Sequence, residues 1–203
     1  MGGLLKAIMT AFVLVGIFST GALAAYYKNP ESDIDPSVFK LDEKHILGQK
    51  LDKSYRFSDL EGKEFSLGNL YGKPIILVLS YYTCDGSCSV INNDLLDLLV
   101  LLEEAKGVKI GKDFNVLTLS FDENDTLETL TEFKKNLRLP KELKEHWTFA
   151  VAPDFAHLKA LTKSLGYKYF WSPQDRTFYH PGAFIFLTPE GRVSRVLYAL
   201  ANE

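Results

Sequence analysis

The sequence predicts an α/β fold in which strands and helices alternate around one sheet. Residues 74–82, PIILVLSYY, form a continuous β-branched and aromatic run that is typical of a strand buried on both faces. Residues 89–105, SVINNDLLDLLVLLEEA, follow with leucines at helical spacing, and a second strand and helix come after them. Such alternation indicates helices layered on a largely parallel sheet, so residues 74–82 are expected to form a central strand.

The sequence indicates a β-hairpin before the central strand. Residues 56–73 contain alternating stretches on either side of a turn at 61–63, EGK. The preceding residues, 25–44, contain Pro, Asp and Ser without a sustained period, which is typical of a tether. We therefore expect one folded domain over residues 45–203.

The remaining elements continue the alternation after the first helix. Each is predicted from its apolar period and from the turn residues that bound it. They are a strand at 114–121, a helix at 126–137, a short strand at 147–152, a helix at 154–166 that stops at Gly166, and two strands within 183–200 joined by a turn at 189–191.

The composition supports a single globular domain and argues against a nucleic-acid partner. Hydrophobic residues make up 46% of the 203 residues and charged residues 24%, which is enough apolar material for one core. The formal net charge is −3. A nucleic-acid binder usually carries a basic surface instead.

The N-terminus predicts export from the cytoplasm. Residues 7–18 are apolar or small, Lys6 precedes them, and the small-residue stretch STGALAA follows. Cleavage after Ala24 fits a signal peptide, whereas an uncleaved membrane anchor would need about 20 apolar residues. Both alternatives for residues 1–24 stay open. In either case we expect the domain to be periplasmic or membrane-anchored, facing outside the cytoplasm.

Two cysteines, Cys84 and Cys88, directly follow the central strand. If Cys88 lies one helical turn after Cys84, both sulfurs share one face of the chain and can reach a common ligand. The positive end of the following helix favours thiolate, which is the form that metals and disulfide exchange require. In an oxidising compartment such a pair needs a bound metal or a thiol reductant protein as partner.

One histidine is a candidate third ligand for a soft metal ion. A zinc site would usually call for four protein ligands, and the chain has too few cysteines for that. His45, His146 and His157 lie in segments where surface roles are expected. His180 precedes the strand at 183–187, where the fold would bring a connection back beside the first helix, although a surface role for it stays open. The residues alone do not name the metal.

Three segments of the sequence resemble the signatures of the Sco/SenC family. They are GKPIILVLSYYTCDGSC at 72–88, LTLSFDENDT at 117–126 and YHPGAFIFLTPEGRVSRVLYA at 179–199, in the family's order and approximate separation. The resemblance spans nearly all of residues 45–200. It implies a thioredoxin-like fold with a central mixed β-sheet flanked by helices and an N-terminal β-hairpin.

The resemblance also implies a copper ion bound by Cys84, Cys88 and His180. It implies a role in cytochrome c oxidase assembly, with the copper-binding subunit of the oxidase as partner. The family's aspartate matches Asp122, either as a weak extra ligand or, as we prefer, as a surface and capping group. The leading hypothesis is therefore a copper metallochaperone.

The sequence departs from the family at two points. Proline usually follows each family cysteine, whereas Asp85 and Ser89 stand here, so loop stiffness and cysteine reactivity are expected to differ. A thioredoxin-type sheet normally has a final helix, but residues 199–203 follow the last predicted strand directly. We expect either that the chain is a fragment or that a partner or the N-terminal segment covers that face.

Two other functions remain open at this stage. A thiol-disulfide oxidoreductase would use Cys84 and Cys88 on cysteines of the oxidase subunit or of other exported proteins, without needing His180. A structural disulfide in a binding module is the third hypothesis. A bridge across so short a loop would add little loop-closure stabilisation.

Overall fold

A computed structural model describes residues 34–84 and 86–199. The predicted signal peptide or anchor at 1–24, residues 25–33 of the predicted tether, residue 85 and the residues after 199 lie outside the described ranges. In those ranges, no helix combines the length and apolar character needed to cross a membrane. The domain boundary at residue 45 stays a prediction. The structure shows a 3₁₀ turn at Pro36–Phe39 and a short helix α1 at Glu43–Ile46, whose apolar residues Val38 and Ile46 are buried.

Seven strands in the described residues form one mixed sheet, which confirms the predicted α/β architecture. The strands are β1 at Arg56–Asp59, β2 at Glu64–Ser66, β3 at Ile75–Ser80, β4 at Asn115–Ser120, β5 at Trp147–Val151, β8 at Ala183–Leu187 and β9 at Val193–Tyr198. Their order in the sheet is β2-β1-β5-β4-β3-β8-β9, with β3, β4 and β5 parallel and the other pairings antiparallel.

Strand β3 is the central strand that the apolar run predicts. All six of its residues are buried, because β4 and β8 pair with its two edges and helices flank the sheet. Parallel strands β3, β4 and β5 are adjacent in chain order, so right-handed crossovers place the two connecting helices on the same face. The Arg138 backbone N–H, just beyond the second of these helices, donates to Asn93 of the first at 3.2 Å, in agreement with that placement.

The helices follow the predicted order. The long helix α2, at Ser87–Lys106, contains Cys88 in its first turn and is capped by Gly107, which adopts the left-handed conformation with a φ of 67°. In addition to α1, the helices are α2 at Ser87–Lys106, α3 at Leu127–Asn136, a short α4 at Lys141–Lys144 and α5 at Phe155–Ser164.

A second, two-stranded sheet was not predicted. Strand β6 at Phe170–Ser172 pairs antiparallel with β7 at Thr177–Tyr179. Local sequence does not mark these strands, because each has only three residues and Pro173 interrupts the run between them. The hairpin matters for the site because β7 ends immediately before His180.

Candidate metal centre

Strand pairing brings His180 beside the cysteines. Strand β8 runs antiparallel to β3 and pairs Phe184 with Val78, so the loop before β8 lies next to the residues that follow β3. The Cys88 Sγ atom lies 3.7 Å from His180 Nε2, and both residues are buried. The predicted association of the cysteine segment with His180 is therefore present in the fold.

Cys84 lies at the edge of the site formed by Cys88 and His180. It is half-buried, it is a free thiol, and its sulfur accepts the Cys88 backbone N–H at 3.4 Å and contacts Ser87 Oγ at 3.3 Å. The first N–H groups of a helix have no partner within the helix. The sulfur of Cys84 therefore acts as a cap for the first turn of α2.

The two thiols differ in acidity. The pKa of Cys84 is lowered to about 4, chiefly by a hydrogen bond from the Cys88 thiol and also by Ser87, Tyr81 and the Cys88 N–H, against the effect of burial. The pKa of Cys88 is raised, because its thiol donates a hydrogen bond to Cys84 and because it is buried. One proton is thus shared by the pair, with negative charge at the more exposed sulfur.

His180 is held on its far side by two oxygens. Its Nδ1 atom lies 2.9 Å from Tyr167 Oη and 3.0 Å from the Pro181 carbonyl oxygen. Burial lowers the pKa of the imidazole, which favours the neutral ring that can bind a metal. The nitrogen opposite these contacts, Nε2, faces Cys88.

Aromatic side chains enclose the imidazole. Ring centroids of Phe121, Tyr81 and Tyr167 lie 4.8, 6.0 and 6.2 Å from that of His180. Phe121 follows β4, and Tyr81 follows β3, so the ends of two neighbouring strands supply the wall. These rings limit the rotation of His180 and keep water from that side of the site.

A buried polar network fixes the first turn of α2. Asn92, 1% exposed, donates to the Cys88 carbonyl at 2.8 Å and to Ser80 Oγ at 3.0 Å, and its Oδ1 accepts from Thr118 Oγ1 at 2.8 Å. Trp147 Nε1 in turn donates to Thr118 Oγ1 at 3.0 Å. The network joins α2 to β3, β4 and β5, which fixes the position of Cys88 on the sheet.

Asp122 contributes to its own loop. Its Oδ1 accepts from the backbone N–H and side-chain amide of Asn124, both at 2.9 Å. The neighbouring Asp125 is the buried carboxylate, and it accepts from the Tyr82 N–H at 2.7 Å and the Ser120 hydroxyl at 2.5 Å. Burial raises the pKa of Asp125. Asp125 therefore joins the residues that follow β3 to the end of β4.

The other three histidines have different surroundings. His45 is exposed and pairs with Asp42, and His146 is also exposed. His157 packs edge-on against Tyr55 at 6.5 Å. Among the residues for which the structure gives positions, no three His, Cys, Asp or Glu side chains converge closely enough to hold a metal ion as they stand.

Several residues of the site were not predicted from sequence. Tyr81 continues the apolar run of β3, and Tyr167 follows Gly166 with no pattern that marks it. Asn92 does carry a signal, because it lies at helical spacing from the buried Leu95, Leu96 and Leu99. A polar residue on an apolar helix face calls for buried hydrogen-bond partners, and the structure supplies them.

Comparisons with known proteins agree with this arrangement. A family model described as SCO1/SenC matches residues 43–203. A solved structure of a proposed electron transfer protein from Aquifex aeolicus VF5 is 30% identical, with a TM-score of 0.67, over 77% of this chain and 87% of that chain. No curated protein sequence matches the chain.

Two further solved structures share the fold at lower identity. Arabidopsis thaliana ScoI with copper bound is 20% identical, with a TM-score of 0.61, over 77% of this chain and 89% of that one. BsSco, described as having a disulfide switch and as a member of the Sco family of cytochrome c oxidase assembly proteins, is 22% identical, with a TM-score of 0.58, over 77% and 89%. These likenesses concern the thioredoxin-like fold.

Proposed function

This chain belongs to the SCO1/SenC family, and we propose that it is a copper metallochaperone. It binds one copper ion through Cys84, Cys88 and His180 and delivers the ion to the copper-binding subunit of cytochrome c oxidase during assembly. The observation that carries the proposal is the 3.7 Å separation of Cys88 Sγ and His180 Nε2. Copper in the related Arabidopsis structure, and the oxidase assembly role given for the family of BsSco, support the choice of cargo and acceptor.

The chemistry of the ligands fits copper. Metal bonds of about 2.3 Å to sulfur and about 2.0 Å to imidazole nitrogen together exceed the 3.7 Å separation, so Cys88 and His180 can reach one ion where they stand. Thiolate and imidazole are ligands that select copper over hard cations. Cys84 is the third proposed ligand, because its sulfur lies 3.4 Å from the backbone nitrogen of Cys88.

The three ligands have different tasks in transfer. Cys84 is half-exposed and has a lowered pKa, so its thiolate is the ligand that meets incoming or departing copper. Cys88 and His180 are buried, and they retain the ion while Cys84 exchanges. Binding releases the proton that Cys88 holds in the metal-free pair.

The test is copper binding by the purified full chain under reducing conditions, measured by equilibrium competition. We expect about one copper per chain, with a large loss of affinity in Cys84→Ser, Cys88→Ser and His180→Ala. His157→Ala is the matched control, because it removes a histidine that packs on Tyr55 instead. Tight binding that is indifferent to His180→Ala would refute the ligand set.

Delivery needs its own experiment. The copper-loaded chain is mixed with the purified copper-binding domain of an oxidase subunit, and the metal is measured on each protein after separation. Transfer to the acceptor supports the proposal. Copper that stays on this chain, when the reduced acceptor binds free copper readily, would contradict delivery.

A thiol-disulfide oxidoreductase is the second candidate, and the asymmetry of the two thiols favours it. The Cys84 thiolate would attack a substrate disulfide and form a mixed disulfide, with one substrate thiolate leaving. Cys88 would then lose its proton and attack the Cys84 sulfur, which yields a Cys84–Cys88 disulfide and the second substrate thiol. A thiol reductant protein would supply two electrons to restore the pair.

His180 separates the two functions. The reductase should keep its activity on a model disulfide in His180→Ala, whereas copper affinity should fall.

Both functions agree with export, and we propose that residues 1–24 direct the domain to the outside of the cytoplasm. Protease accessibility of the domain in intact spheroplasts tests this location.

A further inference from the structure

Tyr167 is a buried tyrosine that is not among the proposed ligands. It lies just after α5, where Gly166 ends the helix with a φ of 57°, and its side chain turns into the core. Its hydroxyl oxygen lies 2.9 Å from His180 Nδ1, 2.9 Å from the Pro181 carbonyl oxygen and 3.4 Å from the Leu79 carbonyl oxygen. One hydroxyl thus joins α5, the end of β3 and the loop before β8.

The hydrogen bonds of the Tyr167 hydroxyl assign the tautomer of His180. The carbonyls of Pro181 and Leu79 can only accept, and the phenol has a single proton to donate. Because that proton goes to a carbonyl, the hydrogen bond between Tyr167 Oη and His180 Nδ1 uses a proton on Nδ1. The opposite tautomer would leave the Pro181 carbonyl facing two lone pairs, on Nδ1 and on the hydroxyl oxygen. The network therefore places the free lone pair of His180 on Nε2.

We propose that Tyr167 is a positioning residue that holds His180 as the Nδ1–H tautomer with Nε2 directed at Cys88. Its hydroxyl determines the fraction of chains in which His180 is ready to bind copper. This inference rests on the proposed copper function for its consequence, although the tautomer itself does not depend on copper. The Tyr167 and His180 rings also lie within 30° of parallel with centroids 6.2 Å apart, so the phenol restrains the plane of the imidazole.

The hydroxyl is hard to replace by the backbone. Without it, Nδ1 keeps only the Pro181 carbonyl at 3.0 Å, which belongs to the residue next to His180 and moves with the same loop. Tyr167 belongs to a different part of the chain and holds the ring against the sheet. Partners on the second nitrogen of a metal-binding histidine typically change metal affinity by 10- to 100-fold when removed.

The test compares Tyr167→Phe with Tyr169→Phe in the full chain. Tyr169 belongs to the same aromatic cluster, with ring centroids 4.8 Å from Phe121 and 6.2 Å from Tyr167, and its substitution is the matched control. Nitrogen-15 NMR of the metal-free chains reports the His180 tautomer, and competition titration reports copper affinity. We expect Tyr167→Phe to mix the two tautomers and to weaken copper binding about 10-fold, while Tyr169→Phe changes neither.

Unchanged tautomer or unchanged affinity in Tyr167→Phe would overturn the inference. If Tyr167→Phe does not fold, the NMR spectrum of the unsubstituted chain decides, because a proton on Nε2 there would also overturn it. A chain that binds no copper but shows the Nδ1–H tautomer would refute the proposed function and leave the role of Tyr167 in orienting His180 standing. The two failures are therefore distinguishable.

Discussion

Cys88 Sγ and His180 Nε2 lie 3.7 Å apart, although 92 positions separate the residues along the chain. Cys88 occupies the first turn of α2, after β3, and His180 precedes β8. Antiparallel pairing of β3 with β8 places these two ends side by side. The two proposed copper ligands thus lie together at the carboxyl end of the central strand, with the half-buried Cys84 beside them.

The lowered pKa of Cys84 predicts an unusual alkylation profile. A pKa of about 4 means that the thiolate persists as the pH falls and is lost only as the pH passes below about 4. Iodoacetamide should therefore modify Cys84 at a nearly constant rate from pH 5 to 8, whereas the raised pKa of Cys88 protects it. Mass spectrometry of the metal-free chain measures both rates. Cys88→Ala should raise the pH at which the alkylation rate of Cys84 is half-maximal. If that pH in the unsubstituted chain is close to the value for free cysteine, the prediction is contradicted.

Tyr81 should contribute to the acidity of Cys84. Its hydroxyl contacts Thr177 Oγ1 at 2.7 Å and hydrogen-bonds to Cys84, and burial raises the pKa of Tyr81 to about 12, so it remains a donor. Tyr81→Phe should raise the pH at which the alkylation rate of Cys84 is half-maximal. The control is Tyr179→Phe, which loses a hydrogen bond to Asp175 on the surface instead. Equal values of this pH in the two variants would show that Tyr81 does not stabilise the thiolate.

Asn92 should be important for stability. Asn92→Ala leaves the Thr118 and Ser80 side chains and the Cys88 carbonyl without their shared partner, and it opens space in the core. We expect the free energy of unfolding in urea to fall by about 2–4 kcal/mol. Asn136→Ala, at an exposed helix end, should change it by less than about 0.5 kcal/mol. Similar losses in both variants would argue against the network.

Asp125 and Asp122 should behave differently when substituted. Asp125→Ala removes the acceptor of the Tyr82 N–H and the Ser120 hydroxyl in a buried place, so unfolding should become easier by about 2–3 kcal/mol. Asp122→Ala removes a cap within its own turn and should leave copper affinity within about twofold, since its Oδ1 is engaged by Asn124. Chemical denaturation measures the free energy of unfolding of Asp125→Ala, and copper competition measures the copper affinity of Asp122→Ala. A large loss of copper affinity in Asp122→Ala would make it a ligand.

Local patterns were sufficient for most elements. The buried run of β3, the leucine spacing of α2 and the turn at Gly191 are each encoded within a few neighbouring residues, and the structure confirms them. The β6–β7 hairpin could not be predicted, because neighbouring residues do not encode it. Its three-residue strands are stabilised by ring contacts such as Phe178 with Tyr81 at 5.1 Å, which come from distant parts of the chain.

The sequence by itself determined the order of the seven main-sheet strands and the three longer helices, the placement of Cys84 and Cys88 between the central strand and a helix, and the resemblance to the family. The tertiary structure alone decided that Cys88 Sγ approaches His180 Nε2 to 3.7 Å, that Tyr167 holds the far side of the imidazole, and that Asn92 joins α2 to three strands. The physical reason is the separation along the chain of the residues that interact. Helical and strand periods arise from bonding between near neighbours, whereas these contacts depend on which strands pair and on the closure of long connections between them.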